Sequence, residues 1–135
     1  MIHGRCLCGA VQFSIDAPFE YSGYCHCSRC RMSTGSAFAS SAGIRKEKVR
    51  IDQGVEMLTT YRRNHDTVSH FCKVCGSVLF LIVRAEQYAH VQMGTLVDDP
   101  QIRPMAHFHV ASKAAWHTIT DAMPQFAEFP PRRPA

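Results

Sequence analysis

Cys25-His26-Cys27-Ser28-Arg29-Cys30 places three thiols within six residues at C-x-C-x-x-C spacing. The three sit too close for comfortable disulfide pairing and are well placed to converge on one soft cation. Tetrahedral zinc takes four ligands, and a site to which the protein gives only three keeps a position for water or substrate. Three neighbouring cysteines therefore point to chemistry, where four would point to scaffolding.

The other four cysteines fall in two pairs, Cys6 with Cys8 and Cys72 with Cys75. In extended backbone residues i and i+2 face the same way, so Cys6 and Cys8 can bind one ion together, and Gly9 permits a tight turn behind them. Cys72-Lys73-Val74-Cys75-Gly76 is a C-x-x-C-G turn of the kind that builds a zinc knuckle. The simplest division is four plus three. Cys6, Cys8, Cys72 and Cys75 close a structural tetrahedron, and Cys25, Cys27 and Cys30 form an open one, so two zinc ions per chain are expected. The closed site would staple the first strand to the middle hairpin, a contribution on the order of 10 kcal/mol in small zinc modules. Other divisions stay open at this point. Cys27 and Cys30 make an ordinary C-x-x-C pair that can close a site with either outer pair, and His70, His107 or His109 can complete the second site.

Between the cysteines the pattern is one of strands. Residues 11–15 alternate apolar and polar as a half-buried strand that ends at Asp16-Ala17-Pro18. Residues 31–35 read as one helical turn closed by Gly35, with Ser28 as N-cap. Residues 37–41 and 49–52 follow as short strands. Residues 57–62 and 67–71 form a hairpin around Arg63-Asn64-His65-Asp66. Residues 77–83, 88–94 and 105–110 are further strands, the last with His107 and His109 on one face. From about residue 124 a tail containing Pro124, Pro130, Pro131 and Pro134 is expected to run extended over the surface. The whole, residues 1–135, reads as a single, mostly β domain without a long amphipathic helix.

Composition narrows the function. With 46% hydrophobic and 19% charged residues the chain is not disordered. Its net charge of +4 is scattered, which suits a small anion or a solvated surface and does not favour nucleic acid. No apolar run approaches the ~20 residues of a membrane helix, and no apolar core follows Met1-Ile2-His3-Gly4-Arg5 as a signal peptide requires. Seven cysteines in an unsecreted chain read as metal ligands or reactive thiols, so a reducing cytoplasm is the expected setting.

Three motifs in order, G-x-C-x-C-G-x-V (Gly4 to Val11), C-H-C-x-x-C-R-x-x-x-G (Cys25 to Gly35) and F-C-x-x-C-G-x-x-L (Phe71 to Leu79), resemble the glutathione-dependent formaldehyde-activating (Gfa) enzyme family, related to centromere protein V. The endings His109-Val110-Ala111-Ser112-Lys113-Ala114-Ala115-Trp116 and Asp121-Ala122-Met123-Pro124-Gln125-Phe126 are similar to that family as well. The resemblance implies several coiled antiparallel sheets around zinc, with the four-plus-three division of thiols. It also implies a carbon-sulfur lyase activity, the reversible joining of glutathione to formaldehyde. A thiol and an aldehyde are then the expected small-molecule partners, and Cys25, Cys27 and Cys30 the catalytic zinc ligands. His26, between two ligands, is a candidate proton shuttle. Arg29, Arg31 and Arg62 are candidates to meet the carboxylates of a peptide-like thiol, because guanidinium matches that planar group. Trp116 is expected to pack the tail on the sheet or to wall the pocket, with Ser40 and Ser41 as possible donors nearby. The competing expectation is a zinc-stabilised binding module without turnover.

Overall fold

Short aliphatic and aromatic runs, broken by glycine, proline and aspartate, leave this chain many places for strands and few for a helix. The computed structural model describes residues 1–129. In chain order its strands are β1 (Ile2–Arg5), β2 (Gln12–Ile15), β3 (Tyr21–Cys25), β4 (Ala39–Arg45), β5 (Val49–Gln53), β6 (Leu58–Asn64), β7 (Thr67–Cys72), β8 (Val78–Val83), β9 (Tyr88–Gln92) and β10 (His107–Phe108). One α-helix, α1 (Ser28–Thr34), follows β3. Three strands form a small sheet in the order β1-β2-β5, and seven form a larger one in the order β10-β3-β4-β9-β8-β7-β6. Every pair is antiparallel except β10 with β3. The protein is mainly β, as its sequence leads one to expect.

The core lies where the small sheet covers the large one. Val11, Phe13 and Ile15 meet Ile44, Leu79 and Val91, all fully buried. Phe13 meets the ring of Phe80 edge-on, with centroids 6.3 Å apart. Burying one such aromatic contributes about 2–3 kcal/mol. Cys6 and Cys72 belong to the same cluster, so the first and second knuckles are rooted in the core.

Several elements depart from their sequence expectation, each for a local reason. Alternation in β2 predicts Ser14 at the solvent face, yet Ser14 is buried because β1 and β5 flank it and its hydroxyl donates to Asp52 Oδ1 at 3.1 Å. Helix α1 starts earlier than expected, and its N-cap is Cys27 rather than Ser28: the Cys27 sulfur accepts from the Cys30 N–H at 3.3 Å. Strand β10 stops after two residues because His109 adopts φ 57°, so His107 and His109 do not share a strand face. Trp116 is 73% exposed, its ring edge-on to that of His117 with centroids 6.4 Å apart.

The stretch after β10 returns along its outer edge. The His107 N–H donates to the Pro124 carbonyl and the Phe126 N–H to the His107 carbonyl, both at 2.9 Å. Of the prolines of the expected tail, Pro124 lies on this stretch, while Pro130, Pro131 and Pro134 lie outside the described residues. Among the described residues no helix is long and apolar enough to cross a membrane.

Candidate metal centres

The two outer knuckles turn by the same device. The Gly9 N–H donates to the Cys6 carbonyl at 3.1 Å and the Gly76 N–H to the Cys72 carbonyl at 2.8 Å. Both glycines hold φ near 80° (79° and 81°), the left-handed region that side chains resist. One knuckle joins β1 to β2 and the other joins β7 to β8, and the fold brings their sulfurs together. The Sγ atoms of Cys6, Cys8, Cys72 and Cys75 all lie within 4.8 Å of one another.

Cys6 and Cys8 sulfurs are 3.6 Å apart, and those of Cys8 and Cys72 are 3.8 Å apart. Tetrahedral zinc with bonds of about 2.3 Å would separate its sulfurs by roughly 3.8 Å, so the donor set fits that ion. Donors also point at the sulfurs: the Val11 N–H reaches Cys6 Sγ at 3.3 Å, and Cys75 Sγ lies 3.2 Å from the Ser77 hydroxyl. The Ser77 contact is foremost in lowering the Cys75 thiol to about 5.

The second cluster is built by a strand end and a helix start. Cys25 ends β3, Cys27 caps α1 and Cys30 lies in the first turn. Their three sulfurs also lie within 4.8 Å of one another, and among the described residues no fourth Cys, His, Asp or Glu joins them. Three thiols so crowded cannot all ionise unaided. Hydrogen bonds from Cys25 and Cys30 hold Cys27 down at about 2, while Cys27 in turn pushes Cys25 far above the ordinary thiol range. A divalent cation would remove that conflict, so the chemistry of the donors fits a metal here too.

The histidines proposed from sequence as fourth ligands have other partners. His70 stacks on Phe80 with centroids 4.8 Å apart, and His109 meets Phe129 edge-on at 4.8 Å. His107 bonds to His26, Nδ1 to Nε2, at 2.8 Å. His26 is fully buried between Phe38, His107 and His117.

A cleft of about 530 Å³ is lined by Arg29, Met32, Ser33, Tyr61, Arg63 and Phe71 among others. Arg63 crosses it with its fork fixed: Nε donates to Ser69 Oγ at 2.9 Å, Nη2 to Ser33 Oγ at 2.7 Å, and Nη1 lies 3.9 Å from Cys30 Sγ.

Residues 1–112 match the family model described as glutathione-dependent formaldehyde-activating enzyme. The chain belongs to this family. Among its relatives, a Halomonas elongata protein named, provisionally, as a glutathione-dependent formaldehyde-activating enzyme is 27% identical over 128 residues, covering 88% of this chain and 81% of that protein. A crystal structure of a Rhodobacter sphaeroides protein superposes with a TM-score of 0.60 at 27% identity, covering 76% of this chain and 91% of that one.

Within this glutathione-dependent formaldehyde-activating enzyme family member, the cleft holds one arginine singled out in the sequence, Arg29, and one that was not, Arg63. Arg62 lines a different hollow with Lys46 and Glu86, whereas Arg63 lines the cleft. Arg31, the remaining candidate, has its Nε buried without a partner. Ser33 and Ser69 hold Arg63, while Ser41 bonds Gln92 on β9. Arg63 shares the face of Tyr61, two residues earlier, but no sequence signal marks that face as the one lining the cleft.

Proposed function

We propose that this chain is a zinc-dependent carbon-sulfur lyase that reversibly adds a carboxylate-bearing thiol, glutathione or a close analogue, to formaldehyde or another small aldehyde. In the forward direction the sulfur bonds to the carbonyl carbon, and the thiol proton ends on the former carbonyl oxygen. Family membership supports a glutathione-linked role in formaldehyde activation. The observation that carries the finer reading is a three-sulfur cluster lacking a fourth described ligand and linked through Arg63 to an arginine-lined cleft.

Cys6, Cys8, Cys72 and Cys75 would hold a structural zinc, and Cys25, Cys27 and Cys30 a second. When bound by three thiolates, zinc supplies a position at which a thiol loses its proton and stays available for attack. The chain supplies orientation. Arg63, already aimed by two serine hydroxyls, presents its remaining donor edge to a substrate carboxylate, and Arg29 adds a second positive charge at the rim. His26 lies inside the fold, so its part is to hold the ligand loop rather than to reach the carbonyl. Seven free thiols also support a reducing, cytoplasmic setting.

Protein loaded with two equivalents of zinc, mixed with glutathione and carbon-13 formaldehyde, should accelerate approach to the adduct equilibrium seen by NMR. Cobalt-substituted protein should change its visible spectrum when glutathione is added, through one site only. A spectrum indifferent to every thiol, with adduct formation at the uncatalysed rate, would leave a zinc-stapled binding module instead.

A further inference from the structure

Behind the three-cysteine loop a chain of polar groups runs from buried His26 through buried His107 to Asp121 at the surface, and the lyase reading does not use its last two members. Asp121 faces His107 Nε2 with both carboxylate oxygens, at 2.9 and 3.1 Å, and its own Oδ1 accepts from the Met123 N–H at 2.9 Å. A carboxylate only accepts, so it fixes the proton of a neutral His107 on Nε2 and leaves Nδ1 as a lone pair. That lone pair lies 2.8 Å from His26 Nε2, which must then be the donor. The order of protons along the chain is thereby set from its surface end, where the Asp121 side chain is 42% exposed.

The placement of His26 gives that order a consequence. Its neighbours on either side are Cys25 and Cys27, and successive side chains of extended backbone point to opposite faces. An imidazole seated among Phe38, His107 and His117 therefore turns both flanking thiols the other way, toward one another's site. The backbone is pinned at the same residue, since the His26 N–H donates to the Phe108 carbonyl at 2.8 Å. An apolar residue would fill this socket, but only a directional bond fixes the rotation of the ring that fills it.

We propose that His26, His107 and Asp121 form a hydrogen-bond relay, running from the surface into the fold, that orients the three-cysteine loop for metal, with His107 and Asp121 as positioning residues. It rests on the reading of that loop as a metal site. Asp121 lies beyond the residues that match the family model, on the segment that straps the edge of β10. The relay thus makes the geometry of the thiol site depend on a part of the chain remote from it in sequence.

The test uses full-length protein carrying two equivalents of cadmium-113, whose four-sulfur and three-sulfur sites give separate NMR resonances, under competition with a chelator. Asp121→Ala is expected to weaken metal retention at the three-cysteine site roughly 10- to 100-fold, the usual effect of losing an outer partner, and to leave the four-cysteine site unchanged. Asp121→Asn, whose amide oxygen still accepts from Nε2, should recover most of that loss. Nitrogen-15 correlations should show His26 protonated on Nε2 in the parent and a mixture of tautomers in Asp121→Ala. Unchanged retention in Asp121→Ala, equal weakening at both sites, or a parent His26 protonated on Nδ1 would overturn the relay. Adduct formation with unaltered retention would sink the relay alone, and altered retention without adduct formation would sink the lyase reading alone.

Discussion

Arg63 is the residue at which binding and chemistry can be told apart. Its donors go to two hydroxyls and one sulfur, so its charge is held in place for a partner that arrives from outside. A charged hydrogen bond of this kind contributes about 1.5–3 kcal/mol. Arg63→Ala should therefore raise KM for glutathione roughly 10- to 100-fold with kcat little changed, because the bond is present before and during reaction. The same variant assayed with 2-mercaptoethanol, which has no carboxylate, should show no such rise. Arg63→Lys should not restore the parent KM, since an ammonium cannot keep two serines and a carboxylate at once. Equal loss with both thiols would mean that Arg63 acts on the metal loop and not on the substrate. The sequence offered Arg62 for this place because both faces of β6 are partly exposed, and nothing in its pattern says which face a ligand uses. A register shift at Arg62/Asn64 leaves Arg63 outside the ladder with β7, a choice made by the sheet rather than by the residue.

At the scale of elements, the knuckles do the work that a longer chain would give to packing. Cys72 is fully buried at the end of β7, and its sulfur meets Cys8 from the far end of the sequence. Cys72→Ser should leave the four-sulfur site unable to hold zinc and lower the melting temperature until no folded baseline remains at 37 °C. Cys27→Ser should keep a cooperative transition with one zinc fewer per chain, read by calorimetry and metal counting on the same samples. Equal losses would show that the division into a structural and a reactive site is wrong. Gly76→Ala tests the second knuckle more gently. A Cβ there meets nothing within 4 Å, so its cost is the left-handed backbone alone, about 1–2 kcal/mol, and a melting temperature lower by several degrees. The knuckles were readable because cysteine spacing and a trailing glycine specify a turn with almost no help from context. Strands β1 and β3 were not: Ile2–Arg5 has only one apolar residue, and Tyr21–Cys25 owes its pairing to β4 and β10, which lie elsewhere in the sequence.

Over the whole molecule, acid should act through a histidine remote from either thiol cluster. His90 on β9 pairs with Gly43 of β4 and Leu81 of β8, and its Nε2 lies 2.6 Å from the Tyr21 hydroxyl on β3. The charged group facing it is Arg84, from the turn between β8 and β9, with Tyr88 and Tyr21 completing its titratable surroundings. Burial first, and then the Arg84 charge, lower His90 to about 4. The unfolded chain takes up this proton near pH 6.5 and the folded chain refuses it until near pH 4, so the folded state binds fewer protons within that window. Stability from this group is therefore fully present above about pH 6.5 and declines as pH falls toward 4, by at most about 3 kcal/mol. Protonation of thiolates also destabilises a zinc protein in acid, which would mask the effect in a single titration. It is common to the parent and to His90→Gln, whose amide can still meet the Tyr21 hydroxyl. The difference in unfolding free energy between the two, taken from urea curves at pH 7 and pH 4.5, should narrow in acid, because only the parent carries the histidine that opposes its own burial. A difference constant across that range would remove His90 as a source of the acid sensitivity of this fold.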